Sequence, residues 1–124
     1  MFKETNLIFS YTRAQAIDDG VLVDASRMAR EAGIRYPVAV TENAWQTYIV
    51  PDEVSKTQGQ SEEGRLWDLL MVFRKAARNS AGDIRHFSVL FLMGRKLRFG
   101  TFKAVCGPGD DAAPVITIML PEED

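Results

Sequence analysis

Cysteine and histidine are nearly absent from this 124-residue chain: Cys106 and His86 are the only ones. One cysteine forms no internal disulfide, and one histidine beside it gives no structural-zinc spacing, so neither a disulfide scaffold nor a zinc module is expected. Long apolar runs are also missing. Nothing approaches the roughly 18 residues needed to cross a bilayer, and Met1-Phe2-Lys3-Glu4-Thr5-Asn6 precedes only Leu7-Ile8-Phe9, too short for a signal-peptide core. The reading is a cytoplasmic protein of bacterial type with no membrane partner. Excess charge of one sign is absent too: 15 Lys and Arg stand against 17 Asp and Glu, so contact with nucleic acid has to come from a local patch.

What is present suits one globular domain over 1–124, since 46% of the residues are hydrophobic and the length is near the commonest domain size. Thr12 caps a predicted helix at 13–18 that Gly20 closes; Val21-Leu22-Val23 reads as a short strand. Ser26 is placed to cap a helix from Arg27 to Ala32, ended by Gly33. Pro37 confines Val38-Ala39-Val40 to a strand start or a sheet edge, and Thr41 caps a helix from Glu42 to about Tyr48. Asp52 to Gln60 has one aliphatic residue and no periodicity, which predicts an exposed loop.

The strongest pattern follows Ser61. Leu66, Leu69, Leu70, Phe73 and Ala77 recur at helical spacing behind Glu62 and Glu63, while Arg74, Lys75 and Arg78 answer the negative end, predicting a helix over 62–79. Beyond Gly82 the composition turns to β, with strands expected at 84–93, 97–106 and 115–120, a turn at Gly94-Arg95, and an acidic end at 121–124. The fold class expected is α+β, with an antiparallel meander covered by the long helix.

Three groups of residues invite chemistry. Cys106, His86 and Asp110 or Asp111 hold the inventory of a thiol hydrolase, set against the reading of Cys106 as a small buried hydrophobe. Gly107-Pro108-Gly109-Asp110-Asp111 lacks the lysine and following helix of a phosphate loop and reads as a turn. The third is a charge imbalance: from Arg74 to Lys103 there are eight cations and only Asp83. Lys96 and Arg98 alternate with Leu97 and Phe99, which puts the cations on one face, joined by Arg95 at the turn. Arg95, Lys96 and Arg98 are the expected partner-binding residues; no catalytic, metal or cofactor residue is expected.

Ile8 to Asp24, Gly33 to Thr41, Gly64-Arg65-Leu66-Trp67-Asp68, Lys103 to Asp111 and Val115 to Pro121 together resemble an uncharacterised family, a domain of unknown function in small proteins of bacteria, plasmids and phages. The chain departs from that pattern at 51–60 and 80–100. The resemblance brings no activity and no site residue; it implies the accessory cargo of mobile genetic elements, proteins that often counter host defence. The expected function is a non-enzymatic inhibitor that binds a host nuclease or CRISPR complex. The alternatives are a small nucleic-acid-binding regulator and a Cys106-dependent hydrolase.

Overall fold

A computed structural model describes residues 11–78 and 82–123. The chain runs α1 (Arg13–Asp18), β1 (Leu22–Asp24), α2 (Ser26–Glu31), β2 (Val38–Thr41) and α3 (Glu42–Ala44), which continues as a π-helical turn, Trp45–Ile49. There follow α4 (Glu53–Thr57), α5 (Glu62–Arg78), β3 (Ile84–Met93), β4 (Lys96–Pro108) and β5 (Pro114–Met119). The class is α+β. The five strands form one sheet in the order β1-β2-β5-β4-β3.

The expected meander is the larger part of that sheet. Gly94, at φ +69, allows the tight turn into β4, and pairing then continues without a break from Met93↔Lys96 to Ile84↔Val105. Helix α5 buries Leu66, Leu69, Leu70 and Phe73 against this sheet, as their spacing predicts. The predicted last helical residue, 79, lies outside the described residues, as does Asp124.

Four readings need correction or refinement. The sheet is wider than the meander, because β2 pairs parallel with β5 on one side and antiparallel with β1 on the other. Pro37 therefore marks a strand start rather than an edge, and its carbonyl accepts from Ile116 N at 2.8 Å. Ser26 does not cap α2: its hydroxyl accepts from Val38 N, while Asp24 accepts from Ser26 N. Asp52 to Gln60 is not a plain loop, since Asp52 caps α4 by accepting from Ser55 N at 2.7 Å, and Ser55 is wholly buried. Polarity suggested solvent, but a cap and one inward hydroxyl are enough to order a five-residue helix. Last, Glu123 is no free acidic end; its carboxylate accepts from Thr41, Asn43 and Leu120 N.

The two faces of the sheet are covered unequally. The inner face, bearing Phe87, Val89 and Phe91 of β3 and Phe102 and Ala104 of β4, is closed by α5, α2 and the π turn. Gly100 leaves room there for Tyr48, since a Cβ at 100 would stand 2.8 Å from Tyr48 Cδ1. On the outer face α1 lies over β5: Arg13 donates from Nη1 to the Thr117 hydroxyl and from Nη2 to the Ile116 carbonyl, both at 2.7 Å. Among the described residues no element covers the outer side of β3 and β4 near their turn, and Leu90, Leu97 and Phe99 are exposed there.

Candidate functional site: the hairpin tip

Strand pairing decides what the tip presents. Leu90 stands opposite Phe99 and Leu92 opposite Leu97, so four apolar side chains share the outer face. Arg98 and Lys96 stand opposite Phe91 and Met93 on the inner face, with Arg95 in the turn. The expected alternation holds. The cations lie on the side facing the core, and the apolar residues face outward, with Leu97 65% and Phe99 69% exposed.

The tip is held from behind. Gly94 N donates to the buried Ser55 hydroxyl at 2.7 Å, and Arg65 donates from Nη2 to the Leu92 carbonyl at 2.6 Å. Arg65 is 2% exposed and also donates from Nη1 to the Tyr48 carbonyl at 2.9 Å, with its guanidinium 5.7 Å from the Phe91 ring centroid. Burial draws its pKa below the ordinary arginine value, with Asp52 pulling the other way. Arg65 thus ties α5, the π turn and β3 together. The sequence carried one signal for it: Arg65 precedes Leu69 and Phe73 by four and eight residues, on the apolar stripe of the helix.

The basic segment does not form one surface. Arg95, Lys96 and Arg98 gather at the tip, Lys103 donates from Nζ to the Glu123 carbonyl, and Arg74, Arg78 and Arg85 line a cleft at the far end of the hairpin.

The hydrolase inventory is not brought together either. Cys106 pairs across from Ile116 on the inner face, whereas His86 pairs across from Lys103 on the outer face. Asp110 serves elsewhere, accepting from Arg13 N at 2.8 Å and Ala14 N at 3.0 Å. Those two backbone bonds hold its pKa below the ordinary carboxylate value, against a small opposing effect of burial. Asp52 is lowered likewise, by the Ser55 hydroxyl and then the Ser55 backbone N–H. A carboxylate with a depressed folded-state pKa contributes stability that is complete above its unfolded value and lost as pH falls through the folded one. Stability should therefore decline as pH drops below about 4. Asp110→Asn should flatten that decline in acid titrations followed by circular dichroism; an unchanged acid limb would deny Asp110 this role.

Among the described residues no group of three or more His, Cys, Asp and Glu comes together as a metal-ligand set, and no helix is long and apolar enough to cross a membrane. The model of a family of unknown function matches residues 1–124. No curated protein and no solved structure matches the chain.

Proposed function

We propose that this chain, which belongs to the family of unknown function DUF6573, is a non-enzymatic binding protein that works by docking its β3–β4 tip onto a partner. The observation that carries the reading is the exposure of Leu90, Leu97 and Phe99 on one face of a hairpin tip anchored by Ser55 and Arg65, with Lys96 and Arg98 on its other face and Arg95 in the turn between them. An exposed apolar group on an anchored hairpin is a protein-docking feature, and a partner that reaches around the tip also meets the cations behind it. The cations steer it toward negative charge. A phosphate backbone would recruit the cations but gain little from Leu97 and Leu90, which favours a protein or nucleoprotein partner over bare nucleic acid.

The resemblance to small proteins of bacteria, plasmids and phages supplies the setting: a mobile-element accessory protein in the cytoplasm, inhibiting a host-defence nuclease or CRISPR complex by occupation. Capture from host lysate identifies the partner. Lys96→Glu with Arg98→Glu should then leave the melting temperature nearly unchanged, because exposed charges contribute little to stability. Partner affinity should fall by about tenfold or more at low salt, with the difference shrinking as salt screens the charges. Full affinity in the double variant would move the interface elsewhere. A steep salt slope in gel shifts with plain DNA or RNA would instead favour the nucleic-acid-binding regulator.

A further inference from the structure

At the far end of the hairpin, the last turns of α5, residues 33–36 and the inner face of β3, β4 and β5 enclose a cleft of about 400 Å³. That volume lies within the range of small-molecule sites. Its floor is apolar, built from Ile34, Phe73, Ala104 and Ile116, all buried. Its walls carry Arg35, Arg74, Arg78 and Arg85 against one carboxylate, Asp83.

Four arginines lining one cavity bring like charges together, which an anion between them would offset. Among the described residues, none of the four makes an ion pair. The negative end of α5 accounts for Arg85, whose Nε donates to the Ala76 carbonyl at 3.0 Å. It does not account for Arg35, which comes from the segment after α2, nor for Arg74, a full turn before the helix ends. Arg74 is seated against the chain: Gly33, at φ +90, has no side chain, and a Cβ there would lie 3.2 Å from Arg74 Nε. The bare backbone both makes the turn and admits the guanidinium.

We propose that this cleft binds a phosphate monoester of a ring-bearing small molecule, of the nucleoside monophosphate class. Guanidinium forks match phosphate oxygens in pairs, so several arginines around one anion favour phosphate over a single carboxylate. The apolar floor then receives a flat ring, which an inorganic anion would leave unused. The site is separate from the hairpin tip, by about 25–30 Å along the strands, and stands or falls independently of it.

Isothermal titration of the full chain with each of the four common nucleoside monophosphates tests this, with the matching nucleoside and inorganic phosphate as the two halves. At least one nucleotide should bind saturably and about tenfold or more tighter than either half. Arg78→Ala and Arg35→Ala, both at exposed positions, should each weaken it by about tenfold or more, while Lys96→Glu with Arg98→Glu leaves it unchanged. A dinucleotide with a 5′-phosphate, compared with its 5′-hydroxyl form, separates the sources: binding of the phosphorylated dinucleotide without the free nucleotides assigns the same chemistry to a strand end. No binding by any phosphorylated probe at millimolar concentration would overturn the proposal. So would inorganic phosphate equal to the nucleotides, or undiminished binding by both arginine variants.

Discussion

Replacing Arg65 with alanine is expected to cost about 4 kcal/mol of folding free energy, because two buried carbonyls lose a charge-assisted donor at about 1–3 kcal/mol each. The guanidinium is buried and donates to the carbonyls of Tyr48 and Leu92. Its loss leaves buried acceptors from two elements without a donor and opens the space beside Phe91. Arg65→Lys should recover little, since one ammonium cannot reproduce the planar fork that reaches both carbonyls. Urea unfolding of both variants checks this. A loss under about 1 kcal/mol would mean that water replaces the guanidinium there. Because the Leu92 carbonyl sits two residues before Gly94, the same variants should loosen the hairpin tip, visible as faster amide exchange around Gly94.

Leu70→Ala should destabilise by roughly 2–5 kcal/mol, the range for truncating a buried leucine. Leu70 is fully buried on α5, within the core cluster that includes the inner face of the sheet. Trp67→Ala, three residues earlier and partly exposed, should cost distinctly less. Equal losses in the two variants would contradict the packing described.

Elements that depend on near neighbours were legible from sequence. Helix α5, the three strands of the meander, and the caps at Thr12 and Thr41 each follow from spacing within one or two turns. Helix α4 carries a local signal in its Asp52 cap, but what seats it, the Ser55 hydroxyl accepting from Gly94 N, joins residues 39 positions apart in the chain. The tip cations were found by counting, since alternation puts Lys96 and Arg98 together whatever lies beneath them.

Strand alternation by itself divided β3 and β4 into two faces, because side chains repeat every second residue. Which face would be covered was decided by where α5, α2 and α1 pack, and that left Leu97 and Phe99 outside while Arg98 shares the side of Phe91. The parallel pairing of β2 with β5, the hold of Asp110 on Arg13 and Ala14, and the meeting of Arg35 with Arg74, Arg78 and Arg85 likewise join residues far apart in the chain. Local spacing fixes an element because its energetics are settled within a few residues. Long-range contacts depend on which surfaces the finished elements can bury against each other, and that is determined only when the whole chain packs.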